Sequence, residues 1–280
     1  MSFNNIFKPV PYKKADFVLL GAPYDAGSSY RPGARLAPER IRALAESFNS
    51  CSERGIDLSP LRAYDAGDLA LSNRAKPAFK TIETSVRKIL DDSAVPIILG
   101  GDHSITIPSF QAALAHYPTL QLLYLDAHPD LYLTFQGDEL SHACVVARVL
   151  EFKNMKGDRI TQVGIRATTS QQAALAQKAN ICTVNAWDVD SFEYLVSGPV
   201  YLSLDIDVLD LAHAPGCGNP VPGGLTTRQL FSFIQKLKVK IVAMDLVEMN
   251  PLLDPADITS LCGARLITET LGVMARNRKV

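Results

Sequence analysis

The chain has 280 residues, of which 47% are hydrophobic, and 28 Lys and Arg stand against 29 Asp and Glu for a formal charge of −1. With no long basic run and no apolar segment near the roughly 20 residues that span a bilayer, the sequence argues against nucleic-acid binding and membrane insertion. Met1–Lys8 carries no long apolar stretch of the kind that opens a secreted protein, and Cys51, Cys144, Cys182, Cys217 and Cys262 are scattered without CxxC spacing, so they read as reduced thiols of a cytoplasmic protein.

Short apolar runs alternate with amphipathic segments along the chain, the pattern of βαβ units around a parallel sheet. The runs predict strands at Phe17–Leu20, Arg62–Ala66, Val95–Leu99, Leu120–Leu125, Ile160–Ile165, Ile181–Val184, Val200–Leu204 and Ile241–Leu246. Helices are expected at Pro38–Phe48, Ala78–Asp91, Ile107–His116, His142–Phe152, Ser170–Gln177, Thr227–Lys236 and Ile258–Ala275. Ser141 is placed to cap the helix at His142, and Thr226 or Thr227 the one before Gln229. No repeat, low-complexity tract or linker interrupts the pattern, so one α/β domain over residues 1–280 is the economical reading.

Three apolar runs end in acidic and histidine residues. The run Pro96–Leu99 leads to His103, Leu120–Leu125 opens into Asp126-Ala-His-Pro-Asp130, and Val200–Leu204 opens into Asp205-Ile-Asp207. Alternating spacing in an extended chain would turn Asp126, His128 and Asp130 to one side, and Asp205 with Asp207. Taken singly, each cluster is as well explained by turn formers or helix caps. Three clusters at equivalent strand ends, where open parallel sheets bind ligands, are not. Four carboxylates and two imidazoles form a hard O/N donor set that suits manganese and not a thiolate-seeking metal.

Gly100-Gly-Asp-His-Ser104, Asp126-Ala-His-Pro-Asp130 and Ser203-Leu-Asp-Ile-Asp-Val-Leu-Asp210 resemble the three signatures of the ureohydrolases, the family of arginases and agmatinases. The likeness runs from Gly21-Ala-Pro-Tyr-Asp-Ala-Gly27 and Arg31-Pro-Gly-Ala-Arg35 to Met244-Asp-Leu-Val-Glu-Met-Asn-Pro251, nearly the whole chain. It implies a three-layer α/β/α sandwich around an eight-stranded parallel sheet, assembled as a homo-oligomer, trimer or hexamer. It also implies two Mn2+ ions, one on His103, Asp126, Asp130 and Asp205, the other on Asp126, His128, Asp205 and Asp207, with a bridging hydroxide that attacks a guanidinium carbon to release urea and an amine. By the same resemblance His142 moves the proton, Glu248 grips the guanidinium, Asp245 supports the site, and Asp102 or Ser104 orients His103. Two departures stand out: the family pattern His-Gly is His142-Ala143 here, and Val221 replaces the glutamate of Pro-Glu-Pro-Gly-Gly.

The substrate is expected to be a small guanidino compound, with agmatine first. Arginases place an Asn two residues beyond the last Asp of the second signature to bind the substrate carboxylate, whereas this chain has Tyr132, as in the Asp-x-Tyr of some agmatinases. The loop Leu131–Ser141 contains no Arg, Lys or Asn but does contain Asp138 and Glu139, which would form an anionic rim for a distal amine. Arginine and guanidinobutyrate are the alternative guanidino substrates. The rival readings are a formiminoglutamase-like or amide hydrolase, against which Glu248 counts because a guanidinium needs that anionic partner and a neutral amide does not, and a regulator that kept the fold without the reaction. His116 and His213 are read as surface and loop residues, and Gly216–Gly224 as a turn, since it lacks the Lys-Ser/Thr ending of a phosphate loop.

Overall fold

The computed structural model describes residues 3, 6, 7 and 10–278. Within them β1 (Phe17–Ala22), β2 (Ala63–Asp68), β3 (Val95–Gly100), β4 (Gln121–Leu125), β5 (Ile160–Ile165), β6 (Cys182–Asn185), β7 (Pro199–Asp205) and β8 (Lys240–Val247) form one sheet, every pairing parallel, in the order β2-β1-β3-β8-β7-β4-β5-β6. Successive residues of a strand face opposite sides. Phe17 and Leu19 enter one core with α1 (Ala37–Ala45), α6 (Thr227–Lys236) and α7 (Ile258–Asn277). Val18 and Leu20 enter the other with α2 (Ala75–Asp91), α3 (Thr106–His116), α4 (Val145–Leu150) and α5 (Ser170–Ala179). The result is the expected three-layer α/β/α sandwich.

Burial explains which strands were easiest to read. In β1, β3 and β5 every residue is buried, because a parallel sheet is covered on both faces and its strands become continuous apolar runs. The edge strands β2 and β6 are partly exposed and carry Tyr64, Asp65, Thr183 and Asn185. The expected helix at His142–Phe152 is shorter: a 3-10 turn, His142–Cys144, leads into α4, and Ser141 caps that turn by accepting the Ala143 N–H. Thr226 caps α6 in a reciprocal box with Gln229.

The four central strands, β3, β8, β7 and β4, are neighbours, and their carboxyl ends deliver the candidate residues to one crevice. His103 follows β3, Glu248 follows β8, Asp205 ends β7 and Asp126 follows β4. Between β3 and His103 the chain passes so close to the loop after β1 that a Cβ on Gly101 would sit 1.8 Å from the Tyr24 carbonyl oxygen. The Gly101 N–H donates to Ala22 O at 3.1 Å and the Asp102 N–H to Tyr24 O at 2.8 Å, so this contact is fixed from both sides. Gly101→Ala is therefore expected to destabilise the protein by about 1–3 kcal/mol, as overpacking against backbone does; an unchanged denaturation midpoint would contradict that close approach.

Candidate metal and active site

Two groups of ligand-type side chains meet in this crevice, His103 with Asp126 and Asp205, and Asp126 with His128 and Asp207, each with its donor atoms within 4.8 Å of one another. Asp126 belongs to both. The carboxylates are aimed by the backbone. Asp126 Oδ1 accepts the His128 N–H at 2.5 Å, Asp205 Oδ1 the Asp207 N–H at 2.8 Å, and Asp207 Oδ1 the Ala127 N–H at 3.0 Å. One oxygen of each is thereby pinned and the other faces the cluster. Asp126 Oδ2 and Asp205 Oδ2 both lie 3.0 Å from His103 Nδ1, and Asp207 Oδ2 lies 3.0 Å from His128 Nδ1. Asp126 Oδ2 is buried without a hydrogen-bond donor. A hard O/N set with such an orphaned oxygen fits a divalent cation of the manganese type.

The alternation expected for Asp126, His128 and Asp130 is not how they converge. β4 ends at Leu125, the chain bends through Asp126–Pro129, and Asp130 sits at φ 46°. Asp130 lies beside the first group rather than in it: its Oδ2 is 3.7 Å from His103 Nδ1 and accepts the Tyr124 hydroxyl at 2.5 Å. The support of His103 also differs from expectation. Asp102 accepts the Ser104 and Gly27 N–H groups, and touches no ring nitrogen. The His103 ring stacks on Tyr124 at 4.5 Å and places Nε2 2.8 Å from Ser203 Oγ, which donates to Asp245 Oδ1 at 2.7 Å. Because the Ser203 proton is committed to Asp245, Ser203 accepts from Nε2–H, which leaves the Nδ1 lone pair for the cluster. Asp245 itself takes the Tyr201 and Thr106 hydroxyls on Oδ2 at 2.6 and 2.8 Å.

Next to the cluster, Glu248 stands at φ 64° directly after β8. Its Oε1 accepts the His103 N–H at 2.8 Å and lies 2.9 Å from His142 Nδ1. His142 Nε2 is 2.7 Å from Ser29 Oγ. Although burial works against each charge, Glu248 and Asp102 push the His142 pKa up to about 9, and His142 in turn holds Glu248 below the ordinary range. Burial, helped by Asp207 and Asp126, lifts Asp205 well above the usual carboxylate value, and burial with Asp126 lifts Asp130 to about 7. The imidazoles respond in kind: against their burial, Asp207 and Asp126 raise His128 to about 12, and Asp126 and Asp205 raise His103 well above its ordinary value.

These residues open onto a cavity of about 380 Å³ lined by His128, Asp130, Asp205, Asp207, His142 and Glu248 on the cluster side. The sequence profile of the arginase family matches residues 15–272. The chain belongs to the arginase family. It is accordingly a hydrolase of C–N bonds in amidino groups. An agmatinase from Pyrococcus horikoshii is 34% identical over 98% of this chain and 98% of its own. A guanidinobutyrase from Pseudomonas aeruginosa is 33% identical, covering 98% of this chain and 91% of its own. The solved structure of the agmatine ureohydrolase of Thermoplasma volcanium superposes with a TM-score of 0.90 at 31% identity, over 99% of this chain and 95% of that one.

Around the mouth the structure corrects one expectation and adds residues that sequence reasoning missed. Tyr132 lines the cavity with Phe135, their rings 4.9 Å apart, but Asp138 and Glu139 do not. The Asp138 carboxylate turns back to the Leu140 N–H at 2.8 Å, and the exposed Glu139 lies 3.7 Å from Arg148 Nη1. Neither carboxylate contributes to the lining, which Ser29, Arg166, Thr168, Thr169 and Asn219 complete from the loops after β1, β5 and β7. Asn219 comes from the turn at Gly216–Gly224 and sets its side-chain amide 3.2 Å from His128 Nε2. Ala143, the departure from His-Gly, lines the cavity. His213 is outside it, and His116 pairs with Asp91 at 3.6 Å.

Metal ligands must be unprotonated, so a cation has to displace the protons that this cluster holds. Titrating metal-free protein with Mn2+ at pH 7 is expected to release protons from His103 and His128 and also from Asp205 and Asp130, more than about two in all, and the apparent affinity should rise with pH. Calorimetry in buffers of different ionisation heat measures the count; no proton release would contradict the site's electrostatics.

Proposed function

We propose that this protein is a binuclear manganese ureohydrolase that cleaves agmatine to putrescine and urea. The two manganese ions are assigned to His103, Asp126, Asp130 and Asp205 and to Asp126, His128, Asp205 and Asp207. Bound there, such a pair supplies Lewis acidity and a water whose pKa is lowered toward neutrality. The remaining chemistry belongs to the protein. Glu248 is held by the His103 N–H and by His142 at Oε1, which leaves Oε2 for the N–H groups of a planar guanidinium. A carboxylate pairing with a guanidinium is the strong, directional form of that contact. His142 lines the cavity, and with its pKa raised to about 9 by Glu248 and Asp102 against its burial it is suited to supply the proton that the departing amine requires.

The observation that carries the choice of an amine-ended substrate concerns Arg166. Among the described residues that line the cavity it is the one Lys or Arg, and it has no N–H to spare. Nε donates to Val221 O, Nη1 to Gly164 O and Val208 O, and Nη2 to Asp207 O, Leu209 O and Val221 O. A substrate that ends in a carboxylate therefore finds no ion-pairing donor. A distal ammonium finds the rings of Tyr132 and Phe135 in the cavity wall, and a cation placed over such a ring is attracted to it. The prevalence of agmatinases among the relatives agrees with this.

A urea-release screen of the manganese-loaded protein tests it. Agmatine is expected to exceed arginine and 4-guanidinobutyrate in kcat/KM by more than about 10-fold, the worth of one ion-pair-strength contact of ~1.4 kcal/mol. Faster hydrolysis of arginine or guanidinobutyrate would overturn the substrate assignment. Glu248→Gln should lower kcat/KM on guanidino substrates by about 10- to 100-fold, since hydrogen bonds to charged groups contribute ~1.5–3 kcal/mol. If Glu248→Gln left turnover intact, a neutral amide substrate would be the better reading.

A further inference from the structure

We propose that Ser29 is the hydroxyl that carries the proton between His142 and the departing amine, a role that rests on the ureohydrolase reading above. The His142 ring is engaged at both nitrogens. Nδ1 faces Glu248 Oε1 at 2.9 Å, and an ionised carboxylate only accepts, so Nδ1 carries a hydrogen. The proton that is exchanged must then leave from Nε2. In front of Nε2 stands Ser29: its N–H donates to the Nε2 lone pair at 3.2 Å and its Oγ lies 2.7 Å away, so once Nε2 is protonated Oγ is the neighbour that can accept from it. Ser29 lines the same cavity as Asp130, Asp205 and Glu248. A serine hydroxyl has one donor and two acceptor lone pairs, so it can accept from Nε2–H while donating onward.

The step balances without any further reactant. As the C–N bond breaks, its electron pair stays on the leaving nitrogen, which takes the Ser29 Oγ proton. Oγ takes the proton from His142 Nε2, and His142 ends neutral until solvent restores it. No electrons are transferred.

The loop that carries Ser29 is braced for such a task, and this gives work to two sequence motifs that the rest of the site leaves unused. Asp25 Oδ2 accepts the Gly33 and Arg35 N–H groups at 2.8 and 3.3 Å, while Arg35 Nε lies 2.6 Å from Oδ1. Asp102 Oδ2 accepts the Gly27 N–H at 2.7 Å, and Asn250 Nδ2 donates to Arg31 O and Pro32 O at 3.1 Å each. The His142 N–H itself donates to Gly27 O at 3.3 Å. The two stretches Gly21–Gly27 and Arg31–Arg35 thus hold Ser29 against the one nitrogen of His142 that is free to exchange a proton.

Ser29→Ala and Ser29→Thr in the manganese-loaded protein, assayed for urea release from agmatine, test the relay. Ser29→Ala should lower kcat by about 100-fold, the lower end of what positioned proton transfer contributes, with KM within about threefold. Ser29→Thr, which keeps the hydroxyl, should recover most of kcat. The relay is overturned if Ser29→Ala keeps kcat within twofold, or if KM rises as much as kcat falls. A second readout needs no turnover: in metal-free protein, the 15N resonance of His142 Nε2 should shift in Ser29→Ala and return in Ser29→Thr. An unmoved Nε2 resonance overturns the contact. Absence of urea release from the wild type would instead sink the ureohydrolase reading, so the two failures are distinguishable.

Discussion

Asp126, Asp130, Asp205, Asp207 and Glu248 are packed into one buried crevice, where burial and neighbouring carboxylates lift Asp205 and Asp130, and the architecture around the crevice is arranged to hold them there. Asp126 and Asp205 each accept, on one oxygen, the N–H two residues on in their own turn, and Asp207 accepts the Ala127 N–H from the turn after β4, which fixes the direction of the other oxygen in each. Those N–H groups are available because the four central strands end together and the chain turns immediately afterwards. Unpaired buried carboxylates are costly, and removing their partners is worse than never having them. The pull of this cluster on His103 and His128 is the same repulsion seen from the cationic side. Two divalent cations would replace the protons that the cluster otherwise collects.

Backbone geometry is bent to the same end. Asp130 and Glu248 both occupy left-handed φ values that residues with side chains rarely adopt, and both lie at the cavity wall. Outliers of this kind persist only where the surroundings over-determine them. For Glu248 the surroundings are the Gly101 carbonyl, which accepts its N–H at 2.8 Å, and the His103 N–H and His142 ring at its carboxylate. For Asp130 they are the Tyr124 hydroxyl and the Val146 and Ala147 N–H groups on its carbonyl. The site is thus built on strand ends and held by its neighbours, as the proposed chemistry of an oriented proton donor and a planar cation would require.

Much of this was legible in the chain. Continuous apolar runs marked the strands because a covered parallel sheet buries both faces, and all eight formed with ends shifted by no more than two residues. Acidic residues directly after such runs marked the crevice. What stayed hidden depends on where loops travel. Ser29 and Asn219 reach the cavity from within long loops, and nothing in their local sequence announces it, whereas Arg166 directly follows β5 at a strand end but is not a ligand-type residue. Asp138 and Glu139 mislead for the converse reason: closeness in sequence to Tyr132 does not put them at the mouth, because a turn at Phe135–Asp138 reverses the chain. The alternation assumed for Asp126–Asp130 failed since β4 ends one residue earlier, so a bend and not a pleat brings those side chains together.

The proposed function requires two cations, which would share the carboxylate of Asp126. Electron paramagnetic resonance of the protein after equilibrium dialysis against Mn2+, read together with the bound metal content, measures this directly. The account predicts two ions per chain with the spectrum of an exchange-coupled pair. One ion or none per chain, or two that give the signal of isolated Mn2+, would contradict it.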